Sequence, residues 1–162
     1  MTCLLADAGV LPETVRRFGH RNWIVVADGA YPCHSARGVT TVTTDAGIPE
    51  VLTELVAALR SAGHVRPVAW LDTELALLTD ELAPGIQEYR NRVRALLRGV
   101  TVQSALHSEL IRRVGSAAAQ FEVLVVKTRT HLPYASVFLE LDCAYWDAQR
   151  EDELRSLLTR GK

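Results

Sequence analysis

Trp23-Ile24-Val25-Val26-Ala27-Asp28-Gly29 is the stretch on which the fold turns. An apolar, largely β-branched run continues without alternation and stops at an Asp-Gly pair. A half-exposed strand would alternate with polar residues, and a helix would need a longer run. The pattern is that of a short strand buried on both faces. In open α/β sheets such strands deliver polar side chains at their carboxyl ends, where ligand sites gather. Asp28 is the side chain so delivered.

The flanking segments repeat the theme. Upstream, Pro12-Glu13 opens a short helix to about Phe18, which Gly19 can stop. Downstream, Val39 to Thr44 reads as a strand. Pro49 begins an amphipathic helix with Val51, Leu52, Leu55, Val56 and Leu59 on one face, ending near Gly63. Pro67 to Leu71 is strand-like. Thr73 to Leu97 reads as helical with a break at Pro84-Gly85. Val100-Thr101-Val102 starts a strand and Ser108 to Val114 a helix. Phe121 to Val126 and Val137 to Leu139 are two further strands, and Asp147 to Thr159 closes the chain as a charged helix. Strands alternating with helices predict a single α/β domain, with a central parallel or mixed sheet flanked by helices.

The chain has 162 residues, 48 % hydrophobic and 23 % charged, which suits one domain with a self-sufficient core. Lys and Arg number 18 against 19 Asp and Glu, a net charge of -1. That balance argues against a nucleic-acid partner. No apolar run approaches the ~20 residues of a membrane span, and the first residues lack the pattern of a signal peptide. Cys3, Cys33 and Cys143 are scattered, so neither a zinc site nor a redox dithiol is indicated, and free thiols fit a reducing cytoplasm.

Generic catalytic motifs are absent. No GxGxxG, P-loop, GxSxG or HExxH pattern occurs. The five histidines, His20, His34, His64, His107 and His131, form no ligand pair at helical spacing, so a metal site would need tertiary convergence. His20 and Asp28 flank one strand, which suggests a shared cleft holding a proton carrier and an acceptor for sugar-like hydroxyls. Each also has a plainer reading, His20 as a helix-end cation and Asp28 as part of an Asp-Gly turn.

The segment Phe18-Gly19-His20-Arg21-Asn22-Trp23 through Asp28-Gly29-Ala30-Tyr31-Pro32-Cys33-His34-Ser35 resembles the amino-terminal signature of the D-ribose pyranase and L-fucose mutarotase family. Val125-Val126-Lys127-Thr128 followed by Pro133-Tyr134-Ala135-Ser136-Val137-Phe138-Leu139 is similar to the family's closing strand pair around Tyr-x-Asn. The resemblance covers residues 5–142. It implies a pyranase/mutarotase-like domain at 1–142 and a helical extension at 143–162.

The resemblance implies a cytoplasmic isomerase that interconverts anomers or ring forms of a free monosaccharide such as fucose or ribose, without metal or organic cofactor. His20 matches the catalytic histidine. Asp28, His107, Tyr134 and Ser136 match substrate-binding positions, and Asn22, His34 and Lys127 are supporting candidates. For His107 a purely structural place at a helix start is equally open. The family forms homo-oligomers, pentameric rings or decamers, with the tyrosine segment entering a neighbour's cleft. His20 and Asp28 would then come from one subunit and Tyr134 from the next.

Asn22 stands where the family has Asp, Ser136 where it has Asn, and Arg129-Thr130 where it has Gly-Glu. These departures keep open a second reading, a sugar-binding or scaffold relative with impaired catalysis. His34 leans toward the fucose branch and His107 toward the ribose branch.

Overall fold

The computed structural model describes residues 10–161. Its elements are α1 (Val10–Arg17), β1 (Trp23–Ala27), β2 (Val39–Thr43), α2 (Ile48–Ala62), β3 (Val65–Asp72), α3 (Ile86–Leu96), β4 (Thr101–Ala105), α4 (His107–Ala118), β5 (Val123–Lys127), β6 (Val137–Cys143) and α5 (Ala148–Arg160). The strands form one six-stranded sheet in the order β2-β5-β1-β6-β3-β4. β1, β2 and β5 are parallel, as are β3 and β4, while β6 runs antiparallel to both β1 and β3. The sheet is therefore mixed, and the carboxyl ends of β1 to β5 share an edge with the start of β6.

β1 is buried over its whole length, as its unbroken apolar run requires. Ile24 and Val26 face a core shared with Leu11 and Val15 of α1, Leu52 and Leu55 of α2, and Ile86 and Val93 of α3. Trp23, Val25 and Ala27 face the opposite core with Phe138, Trp70, and Leu110 and Val114 of α4. Side chains alternate across a strand, so one continuous apolar run supplies both cores. Helix α2 ends at Gly63, whose φ of +72° is a left-handed backbone that glycine adopts without strain.

The helical pattern expected from Thr73 divides. Thr73–Leu77 forms a short 3-10 turn, and the α-helix begins only at Ile86. The Arg90 guanidinium donates to the carbonyls of Leu75, Ala76 and Leu78, taking up acceptors that a continuous helix would satisfy internally. Only Leu75 of the turn is buried, whereas Leu77 is exposed, so an amphipathic helix has no second anchor there.

Helix α5 buries none of its side chains, and Leu154, Leu157 and Leu158 remain exposed. Among the described residues no helix is long and apolar enough to cross a membrane. Cys33 and Cys143 are free thiols. Cys3 and the start of the amino-terminal segment lie outside the described residues.

Candidate functional site

Asp28 follows β1 at the edge where the parallel strands end. Its Oδ1 accepts from the Ala30 N–H at 2.9 Å, forming an Asx turn. Ser136, one residue before β6, is fully buried. Its hydroxyl accepts from the Asp28 N–H at 3.0 Å and donates to Asp28 Oδ2 at 2.8 Å. Ser136 has no exposed surface in the single chain, and its hydroxyl is taken up by Asp28. A cleft of about 400 Å³ opens beside Asp28, lined also by Gly29, Ala30, His131, Leu132 and Pro133. Thr130 secures this floor. Its carbonyl accepts from the Gly29 N–H, and its Oγ1 accepts from the Ile48 N–H at the start of α2.

His107 opens α4 at the same edge. Its Nδ1 lies 3.0 Å from Oδ2 of Asp72, the last residue of β3, whose side chain is wholly buried. Both carboxylate oxygens of Glu74 accept from the His107 backbone N–H, at 3.2 and 3.1 Å, fixing the first turn of the helix. The Tyr134 ring meets the imidazole edge-on at 5.6 Å between centroids. Tyr134 itself sits at φ +54°, costing roughly 1–2 kcal/mol in a residue with a Cβ. Strained residues of this kind collect at functional sites.

Electrostatics tie these groups together. Burial pushes the Asp72 carboxyl upward, and Glu74 and Asp28 add to the shift, while the charge and hydrogen bond of His107 pull it back. Burial also raises the hydroxyls of Tyr31 and Tyr89, and both feel the charges of Asp28 and Asp72. The Tyr89 hydroxyl donates to the Ala135 carbonyl, locking the segment between Tyr134 and Ser136.

His20 lies elsewhere. It precedes β1, whereas Asp28 follows it, and five residues of strand separate the sheet edges by roughly 16 Å. The expectation of one cleft holding both residues fails within a chain, because β1 is fully extended between them. The antiparallel entry of β6 brings Tyr134 and Ser136 to the Asp28 edge of their own chain.

At its own edge His20 Nδ1 stands 3.2 Å from Asp142 Oδ1. Arg66, which faces Asp142 across the β3–β6 pair, donates to Asp142 Oδ2 at 3.0 and 2.7 Å. Burial opposes ionisation of Asp142, but hydrogen bonds from Arg66 and the Cys143 N–H, with the charges of Arg66 and His20, hold its pKa below the usual carboxylate range. Arg21, beside His20, is the other non-glycine residue with positive φ among the described residues, at +75°. A cleft of about 650 Å³ here is lined by His20, Arg66, Asp142, Trp146, Glu151 and Arg155, among others.

The supporting candidates separate as well. The Asn22 Oδ1 accepts from the Gly19 N–H at 2.8 Å and its amide donates to the Glu122 carbonyl at 2.9 Å, so it braces the turn before β1. His34 stacks obliquely near Tyr31, with centroids 5.6 Å apart and its Nε2 buried without a partner. Lys127 closes β5, half-buried, at the Asp28 edge. Among the described residues no group of three or more His, Cys, Asp or Glu side chains is arranged to hold a metal ion.

Sequence reasoning missed Asp72 and Asp142. Asp72 carried a usable signal, since it follows the apolar run Pro67 to Leu71 as Asp28 follows β1. Asp142 carried none, because its partners Arg66 and His20 meet it only through strand pairing.

Comparison with known proteins agrees with this architecture. The chain is 32 % identical over 141 residues to the D-ribose pyranase of Symbiobacterium thermophilum, covering 85 % of this chain and 93 % of that protein. The structure of Bacillus subtilis RbsD complexed with D-ribose superposes with a TM-score of 0.58 at 19 % identity, covering 84 % of this chain and 92 % of that one. The Streptococcus pneumoniae fucose mutarotase in complex with L-fucose gives 0.53, again at 19 % identity, covering 86 % and 93 %. These two structures share the fold. A family model spans residues 8–143, and the chain belongs to the RbsD / FucU transport protein family.

Proposed function

We propose that the protein is a monosaccharide pyranase or mutarotase, opening and reclosing the hemiacetal ring of a free sugar by acid–base catalysis with His20. The observation that carries this reading is the presentation of Asp28 by Ser136 at the sheet edge that also carries the paired rings of His107 and Tyr134. A carboxylate fixed by two hydrogen bonds accepts from sugar hydroxyls, and the tyrosine hydroxyl both donates and accepts. The family and its ribose- and fucose-bound relatives support the substrate class. Ring opening transfers a proton from the anomeric hydroxyl and returns one to the ring oxygen, work suited to imidazole near neutral pH.

The separation of His20 from Asp28 gives this reading a structural corollary. A complete site pairs the His20 edge of one copy with the Asp28 edge of another, as a homo-oligomeric ring permits. Exposed Leu77, Val102 and Leu106, near the end of β3 and along β4, supply apolar surface for such an assembly. Residues 143–162 then form an extension of the catalytic domain, whose Trp146, Glu151 and Arg155 help to line the His20 cleft.

The same separation favours a second reading for a lone copy, a sugar-binding protein that lacks its proton carrier. Saturation-transfer proton NMR on ribose, fucose and other monosaccharides distinguishes the two. Accelerated anomer exchange that disappears in His20→Ala supports the enzyme. Exchange at the uncatalysed rate throughout the panel, with line broadening from binding alone, overturns it.

A further inference from the structure

We propose that Asp72 is a positioning residue for catalysis, holding the His107 ring with its proton on Nδ1 so that Nε2 presents a lone pair to the sugar. The inference rests on the pyranase/mutarotase reading and makes His107 a proton carrier beyond the binding role assigned to it by resemblance. Three observations converge. The Asp72 side chain is wholly buried, yet spends one oxygen on an imidazole nitrogen at 3.0 Å. Its other oxygen, Oδ1, is buried without a hydrogen-bond partner. His107 is held a second time through its backbone by Glu74.

A structural explanation accounts poorly for this arrangement. Burying a carboxylate is costly, and leaving one oxygen unpaired adds to the cost. An apolar residue at the end of β3 would complete the surrounding core more cheaply. What the carboxylate does provide is tautomer control. An ionised carboxylate only accepts, so a neutral imidazole facing it must carry its proton on Nδ1. Nε2, near the opposite corner of the ring, is then the acceptor. The imidazole is half-exposed and Tyr134 packs against its edge, so the ring is orientated but reachable.

In the proposed step, Nε2 takes the proton of the anomeric hydroxyl. The O–H electron pair becomes the second bond of the new carbonyl, and the bond from the anomeric carbon to the ring oxygen breaks. The ring oxygen keeps that bond's electrons and takes a proton from the His20 imidazolium of a neighbouring copy. Reclosure on the other face reverses each transfer, so no atom or electron is gained or lost.

The test combines kinetics with direct observation of the ring. Long-range proton–nitrogen NMR on the full-length ¹⁵N-labelled protein, with His107→Gln to assign the signals, reads which nitrogen bears the proton. The expected result is Nδ1–H in the wild type, and loss of that preference in Asp72→Asn. The same variant loses about 100-fold in kcat, the scale of general acid–base catalysis, with KM changed less than threefold and an unchanged melting temperature. A wild-type ring protonated on Nε2, or an Asp72→Asn variant with kcat within threefold of wild type, overturns the inference. The wild-type spectrum decides alone where Asp72→Asn folds poorly. Absence of anomer exchange in the wild type sinks the enzyme reading, and the tautomer measurement still decides whether Asp72 orients the ring.

Discussion

The Ser136 hydroxyl grips Asp28 at two points, accepting from its backbone N–H at 3.0 Å and donating to its Oδ2 at 2.8 Å. The two residues are 108 apart in sequence and meet because β6 enters the sheet antiparallel to β1. One buried side chain therefore sets both the backbone and the carboxylate of the proposed sugar acceptor.

Ser136→Ala removes both bonds and leaves the Asp28 N–H without its acceptor. The variant is expected to lose about 1–3 kcal/mol of stability by denaturant unfolding. Sugar affinity should fall with it, measured by titration calorimetry on the ribose and fucose panel. An alanine variant with wild-type stability and affinity would show that Asp28 is positioned by its Asx turn alone.

Complementation tests whether the site spans two copies. His20→Ala and Asp28→Asn are each expected to be inactive in anomer exchange. When the two are unfolded together and refolded as a mixture, a site taking His20 from one copy and Asp28 from another should recover about a quarter of wild-type activity. A mixture as inactive as its components contradicts the composite site.

Gly38, just before β2, sits where a Cβ would approach the Ala118 carbonyl oxygen at 2.1 Å. That atom is backbone at the end of α4, so the clash cannot be relieved by a rotamer change. Gly38→Ala must push β2 away from α4, at an expected cost of about 1–3 kcal/mol. Thermal unfolding measures it, and a melting temperature equal to wild type would mean that the edge strand moves freely.

Asp142 supplies a pH prediction. Its folded pKa lies below the ordinary value, so the stability it contributes is present above the unfolded carboxylate pKa and is lost as pH falls through the folded one. The side chain is a third exposed, which limits the contribution to about 1 kcal/mol or less. Asp142→Asn is therefore expected to be less stable than wild type at pH 7, and by a smaller margin near pH ~3. Urea titrations at the two pH values check the sign, and a gap that widens at low pH would reverse it.

Much of the fold was legible because burial leaves local marks. The apolar run of β1, the helical stripe of Val51 to Leu59 and the stop at Gly63 each report an environment through neighbouring residues alone. The segment after Thr73 was misread as helix because its leucines mimic a helical face. Arg90, on the next helix, instead satisfies its carbonyls from outside.

The sequence by itself determined the strands, the mixed or parallel sheet and the delivery of Asp28 at a strand end, since these follow from periodicity and turn chemistry over a few residues. Only the tertiary structure decided which side chains meet. Strand direction and register put Ser136 on Asp28, His107 on Asp72 and Asp142 on His20, and they set His20 and Asp28 at opposite edges of the sheet. The physical reason is that pairing is chosen by cooperative burial of two cores across the whole sheet, a long-range condition that no short window of residues records.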